Sequence, residues 1–526
     1  MFNIGAIIAA AGDILDLTGR GLYDCDFADI KPQPNIRDLR LAFNNLSDPA
    51  ILSLFPNAVC VDISGNEFRS VPANVHYKSF IASHNKLTVL PTADYVKADH
   101  NALCHIKSSA IIIDVGHNPL CELDAPNAMT IIADHCLLTV LPANKYNLCV
   151  LDISFNRIHE FTGHWPKLLV LNINGNKLET FTADLPKCVE LHASDCGLLE
   201  MTVDAPQMAQ ADLSHNFLSN APNWLNLIVL NMADNYVEIL PNYLLLQSLD
   251  ASRNNLHTVQ QWPAIVHLDL SHNKFESFIG QEWSGLKYLD VSYCNIVSTT
   301  FADWPDLLYL NISHNKCHRS AGFRDWSQLS ELRASYNELS DLSELYGKVV
   351  DPQFEKTGVR LNLKYVDISH NKYTSPLPEW RAEYIDVSHN KLNLHMIGAW
   401  ICGDELRFTF GEDEAWKITS QLPDWPANYI NISHNNLNIR LPMWQAQYIN
   451  VSNNNFGGSG DRRVGHCTAM LPMWPNVRVV NMQYNNIKSV SYWPTLHYML
   501  IDGNPITLNS DEKACSIGKS ALDIVM

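Results

Sequence analysis

No stretch of this chain approaches the roughly 18 consecutive apolar residues that a membrane-crossing helix needs. Basic residues are scarce relative to acidic ones: 37 Lys and Arg stand against 55 Asp and Glu, for a net charge of −18. Nucleic acid and anionic membrane both reward a basic surface, so neither is expected as a partner. No long Gly/Ser-rich or charge-rich linker divides the sequence, and a single domain over residues 1–526 is expected. Thirteen cysteines are present, an odd number, and no paired Cys cluster closes either end. Reduced thiols in the cytoplasm are the resulting expectation. Enzyme signatures are missing as well. There is no Gly-x-Ser-x-Gly and no His-Glu-x-x-His, and Gly518-Lys519-Ser520 has Lys513 where a phosphate loop needs its leading Gly. No catalytic activity and no cofactor are expected. No Cys/His spacing resembles a closed zinc site, so no metal is expected either.

What the chain does have is one phrase, repeated 23 times: apolar, x, apolar, x, x, Asn, x, apolar. Clean copies run Leu151-Asp152-Ile153-Ser154-Phe155-Asn156-Arg157-Ile158 and Leu268-Asp269-Leu270-Ser271-His272-Asn273-Lys274-Phe275. The anchor is Asn in 19 copies, Cys in three (Cys136, Cys196, Cys294) and Arg in one (Arg20), mostly 16 to 22 residues apart. Apolar residues two apart place both side chains on one face of a short strand. One such strand cannot bury that face alone, but stacked neighbours bury a continuous column. An Asn in the turn can bond the backbone groups that a sharp bend leaves unpaired.

A period this short with an Asn or Cys anchor resembles the leucine-rich-repeat family, over about 490 of the 526 residues. Leu141-Pro142 and Leu422-Pro423 ahead of the strands are most similar to the short repeats of bacterial effectors and some protists. The resemblance implies an α/β-type solenoid: a horseshoe or arc with a continuous parallel β-sheet on its concave face. A repeat of about 20 residues leaves little room for a crossover helix, so turns and extended segments are expected on the convex side. Residues 1–13 read as an N-terminal cap, with the apolar Ile4 to Ala11 run covering the first repeat rather than serving as a signal peptide. About 23–24 repeats fill 14–506, and 507–526 read as a C-terminal cap. Insertions are expected near 343–358, 394–420 and 457–469. The middle interval can also be read as a degenerate repeat, because Leu406-Arg407-Phe408-Thr409-Phe410 alternates like a strand.

The variable slots carry the functional expectation. The slot between the two strand apolars is Asp or Asn in most copies, including Asp290, Asp367, Asp386, Asn431 and Asn450. It forms either an acidic surface for a basic partner or a hydrogen-bond ladder with the Ser that follows. Calcium between Asp pairs would need an oxygen-rich loop that is missing. Two residues earlier, the slot turns aromatic from mid-chain: Tyr288, Tyr309, Tyr365, Tyr384, Tyr429, Tyr448 and Tyr498. Alternation points these rings into the concave face. Tyrosine is enriched at binding hot spots; the other reading is cross-strand stacking that stiffens the sheet. Tryptophans ten or eleven residues before an anchor are expected in the core of the convex layer. Histidines directly before the anchor read as packing at the solvent edge. Sequons at Asn311, Asn431 and Asn450 fall inside predicted strands, which agrees with a cytoplasmic location.

The expected function is non-catalytic: a protein-protein interaction module gripping a protein partner, basic on the acidic-surface reading, with the Tyr/Asp/Asn-rich C-terminal half of its concave face. The alternative is a structural scaffold, contacting neighbours in a larger assembly through insertions and ends.

Overall fold

The computed structural model describes residues 4–72, 75–141, 146–302, 304–321, 328–340, 363–374, 377, 380–392, 400–402, 405–407, 422–437, 439, 441–457, 471–488, 490 and 493–505. The chain divides into two compact units, Met1–Asp250 and Ala251–Met526. Each is a parallel β-solenoid. In the first, strands from Ile14–Asp16 to Ser248–Asp250 pair in succession, all parallel. In the second, strands from His267–Asp269 to Tyr498–Leu500 do the same.

Most of these strands are only three residues long, and the sequence explains their register. The middle residue points into the turn and aligns with the middle residue next door, as in Leu151↔Leu171↔Leu191. All three are buried. Full burial of a Leu side chain contributes about 1.5–3 kcal/mol, and the column repeats that gain at each turn. Flanking residues point to the opposite face of the sheet, which leaves the Tyr and Asp/Asn slots on its open side.

The anchor Asn ties each turn to the one before it. Asn156 Nδ2 donates to Ile153 and Ser154 within its own turn and to the Ala133 carbonyl of the preceding turn. Its Oδ1 accepts the Leu138 N–H of that preceding turn at 2.9 Å. One buried side chain thus satisfies donors and acceptors that the bend leaves open. Where Cys196 replaces Asn, its Sγ reaches the Ile173 carbonyl at 3.2 Å. Its own backbone carbonyl takes over the acceptor role, receiving Leu178 N–H at 2.9 Å.

The residue just before the anchor adopts left-handed backbone throughout, with φ between 49° and 58° for the non-glycine residues of this slot. Asp and His tolerate that region better than most residues, and both recur here. Glycine takes the slot at Gly175, where an added Cβ would meet the Phe155 ring at 2.5 Å.

Helix is sparse. Among the described residues α-helix occurs at Ile4–Ala10, which buries Ile4 and Ile8, and at Ala50–Ser53. A 3-10 turn lies between them at Asp24–Phe27. The back layer consists of extended segments and turns, as the repeat length implied. It also carries small parallel patches, such as Glu160–His164 with Thr180–Asp184 and Thr202–Asp204. The described tryptophans of the back layer are buried there as expected. Trp425, Trp444, Trp474 and Trp493 stack at centroid spacings of 5.8, 6.2 and 5.9 Å. Each of Trp444, Trp474 and Trp493 donates its indole N–H to a proline carbonyl of an earlier turn. That gives the polar edge of a buried indole its partner.

Of the interval that can be read as a degenerate repeat, Phe408 to Phe410 lie outside the described residues. Tyr384–Asp386 pairs directly with Tyr429–Asn431, and Glu405–Arg407 pairs antiparallel with Trp400–Cys402 in a separate sheet. Alternation alone could not separate a sheet-completing strand from a local hairpin. The strand pairing also passes directly from Glu331–Arg333 to Tyr365–Asp367 and from Tyr448–Asn450 to Val479–Asn481. The insertions expected at 343–358 and 457–469 lie, apart from Gly457, outside the described residues, as does the cap at 507–526.

Candidate interaction site

In the second unit the open face of the sheet carries two parallel columns, set by strand triplets of the form Tyr-apolar-Asp/Asn. Parallel pairing in strict register stacks like on like. Tyr288 and Tyr309 lie with ring centroids 4.4 Å apart and planes within 5°. His267 stacks on the other side of Tyr288 at 4.1 Å. Tyr365, Tyr384 and Tyr429 form a second run, at 4.3 and 4.4 Å. Tyr448 is in register on the following strand and is 47% exposed. Tyr498 stands further along, also exposed.

The two runs are separated by one strand, Glu331–Arg333. Glu331 takes the Tyr slot, and Arg333 takes the Asp/Asn slot, in register with Asn311 and Asp367. The Arg333 guanidinium lies 5.7 Å from the Tyr309 ring centre and 4.6 Å from that of Tyr365. A cation over ring faces at these distances is attracted by their quadrupoles. Arg333 therefore bridges the break between the tyrosine runs, and its Nη2 lies 3.5 Å from Glu331 Oε2.

The Asp/Asn column is engaged within the fold. Asp290 Oδ1 accepts from the Ser292 N–H and hydroxyl at 2.8 and 2.6 Å, and its Oδ2 accepts from Asn311 at 2.8 Å. Asp386 accepts from Ser388 N–H at 2.9 Å and from Asn431 at 2.8 Å. Asp367 and Asn450 each bind the N–H and hydroxyl of the Ser two residues on. Burial holds the Asp386 carboxyl above the usual carboxylate range, against these hydrogen bonds. Hydrogen bonding along the column answers the repulsion that stacked carboxylates would otherwise suffer.

The tyrosine rings are half-buried by one another, and each from Tyr288 to Tyr429 keeps part of its surface open. Burial pushes the hydroxyls of Tyr288, Tyr309, Tyr365, Tyr384 and Tyr429 above the ordinary phenol range. They remain protonated donors at neutral pH.

A third column runs along the left-handed slot. In the second unit it is His272, Tyr293, His314, Tyr336, His370, His389 and His434, with successive centroids 3.8 to 4.4 Å apart. Reading histidine alone had missed that Tyr293 and Tyr336 belong to it. Their position directly before an anchor was the available signal. Arg333, Glu331 and His267 were missed for a related reason: they share a register with the Tyr and Asp/Asn slots but not a residue type.

No protein-family model and no curated protein matches this chain. Among solved structures it is similar to YopM from Yersinia enterocolitica, with 20% identity, 80% of this chain and 81% of that chain covered, and a TM-score of 0.52. It is also similar to the Arabidopsis receptor kinase HAESA leucine-rich-repeat ectodomain, solved with a peptide hormone ligand, at 17% identity over 94% and 91% of the two chains and a TM-score of 0.47. For InlJ from Listeria monocytogenes the values are 19%, 63%, 69% and 0.41. At the identity of the first match the likeness concerns the fold, and the fold is the leucine-rich-repeat solenoid. Among the described residues no helix is long and apolar enough to cross a membrane.

Proposed function

We propose that this leucine-rich-repeat solenoid is a non-catalytic protein-binding module, and that the open sheet face of its second unit is where a protein partner docks. The observation that carries this reading is the stacked tyrosine platform, Tyr288–Tyr309 and Tyr365–Tyr384–Tyr429, joined by Arg333. Stacking removes most of the rotor freedom that a tyrosine would otherwise lose on binding, so the platform is pre-organised. Tyr and Arg are the residue types that dominate binding hot spots.

Within this reading the columns divide the work. Tyr288, Tyr309, Tyr365, Tyr384, Tyr429 and Tyr448 meet the partner. Asp290, Asp367, Asp386, Asn431 and Asn450 hold the strands that present them, since their side chains already bind Ser or Asn of the same sheet. The net charge of −18 favours a partner carrying basic side chains.

The test is the pair Tyr365→Ala with Tyr384→Ala in the full chain, assayed by co-purification from the native cell with the recovered proteins identified. Binding is expected to fall at least about 30-fold, the equivalent of a 2 kcal/mol hot spot. Circular dichroism is expected to stay unchanged. Undiminished recovery of the same partners by the double variant removes the tyrosine platform from the interface.

A further inference from the structure

The first unit carries a histidine column of its own. His84, His100, His117 and His135 stack with ring centroids 4.3, 4.3 and 4.4 Å apart. Their backbones are left-handed, with φ of 53°, 54°, 54° and 49°. In two of these turns the residue before His, which is Ser in the clean copies of the repeat, is Asp instead: Asp99 and Asp134.

Asp134 lies between two imidazoles. Its Oδ2 is 3.4 Å from His117 Nε2 and 2.8 Å from His135 Nδ1. One ligand atom from each of the three residues falls within 4.8 Å of the others, and the His rings are exposed to solvent. Donors about 3 Å apart are spaced as neighbouring ligands of one ion with bond lengths of about 2.0–2.2 Å. Gly116, immediately before His117, makes room for this arrangement: a Cβ there would sit 2.1 Å from Asp134 Oδ1. Among the described residues no Lys or Arg is paired with Asp134. The equivalent group at His84, Asp99 and His100 differs, because Asp99 is shared with Lys97 Nζ at 3.7 Å and with the Ser83 hydroxyl.

We propose that His117, Asp134 and His135 form a surface site for a borderline divalent cation such as Zn2+ or Ni2+, with water completing the coordination. Two imidazoles and one carboxylate are the donor set such ions prefer, whereas Ca2+ requires six to eight oxygens. The stacked rings would fan apart by rotation to aim one in-plane nitrogen each at the ion, while Asp134 stays over Gly116. Protons compete with the ion for the imidazole nitrogens, so binding is weaker in acid.

The test is calorimetric titration of the full-length, untagged protein with ZnCl2, NiCl2 and CaCl2 at pH 7.5 and 5.5. Saturable Zn2+ and Ni2+ binding is expected, weaker at the lower pH. His117→Gln with His135→Gln, or Asp134→Asn, is expected to weaken it at least about tenfold. Gly116→Ala removes no ligand but displaces the Asp134 carboxylate, and is expected to weaken binding with an unchanged circular dichroism spectrum. His314→Gln, in the other unit, is expected to have no effect. Absence of saturable binding by the wild type, affinity unchanged in the double His variant, or a preference for Ca2+ each overturns the site.

Discussion

Asn431 donates its side-chain amide to Asp386 across neighbouring strands at 2.8 Å, although 45 residues separate the two in sequence. The same carboxylate accepts Ser388 N–H at 2.9 Å and is only 9% exposed. Removing one member of a buried hydrogen-bonded set costs more than the bond is worth, because the partners stay buried and unsatisfied. Asp386→Ala is therefore expected to destabilise the second unit by about 1–3 kcal/mol. Asp386→Asn, which keeps an acceptor for Ser388, is expected to cost less. Thermal unfolding of the three proteins ranks them; equal midpoints would place Asp386 outside the load of the sheet.

The anchors provide a sharper comparison. Asn156 serves two turns through four hydrogen bonds, one of them from Leu138 N–H. Asn156→Ala leaves backbone groups of both turns without partners and is expected to cost about 3 kcal/mol or more. Asn156→Cys is expected to be milder, since Cys136 already reaches Val115 and Asp134 carbonyls from the same slot. Urea or thermal denaturation followed by far-UV circular dichroism distinguishes the two. A Cys variant no better than Ala would show that the natural Cys turns depend on other compensation.

The His389 imidazole, held among His370 and His434, has its pKa lowered to about 4 by burial first and by those neighbours second. Burial also lowers His272, His314 and His434. A base with a depressed folded-state pKa contributes stability fully above its unfolded value, about 6.5, and loses it as pH falls toward the folded value. The thermal midpoint is thus expected to drop between pH 6.5 and 4. His389→Tyr keeps a ring in a slot that Tyr293 and Tyr336 already occupy with φ of 56° and 53°, and should flatten that slope. A slope identical to wild type would assign the acid sensitivity elsewhere.

Thiol reactivity should divide by burial. Burial pushes Cys188 and Cys196 up to about 11, and Cys294 and Cys317 up to about 12. Among the described cysteines, Cys25, Cys104 and Cys121 are exposed. At pH 8 a thiol reagent is expected to label these three in the native protein, and the buried four only after unfolding. Mass mapping of labelled peptides reads the result. Fast native labelling of Cys196 or Cys294 would mean that the anchor columns open.

Much of the architecture was legible because its determinants are local and repeated. The middle apolar residue, the Asn anchor and the Trp slot each recur at a fixed offset. A side chain's face follows from strand alternation alone, as Leu151 and Tyr288 illustrate. What could not be read was which neighbour each side chain would meet. Leu406 and Arg407 alternate as a repeat strand does, yet Glu405–Arg407 pairs antiparallel with Trp400–Cys402, because pairing depends on the chain around a strand and not on its alternation. Arg333 is a single residue with no counterpart in the repeat pattern, although it lies over two tyrosine rings contributed by the strands on either side of it.

The columns show where the division falls. Sequence alone determined that Asp and Asn, Tyr and His would each occupy one register, because a period near 20 residues and parallel pairing leave no other arrangement. Only the tertiary structure decided what each register does. The Asp/Asn column spends its hydrogen bonds inside the sheet, since the Ser two residues on and the Asn one strand over lie within 3.1 Å. The tyrosines stack yet keep an open edge, since three-residue strands hold their rings about 4.4 Å apart. Asp134 approaches two imidazoles because Gly116 has no side chain to exclude it. Those outcomes turn on distances of a few tenths of an ångström between residues far apart in the chain, which a repeat pattern does not encode.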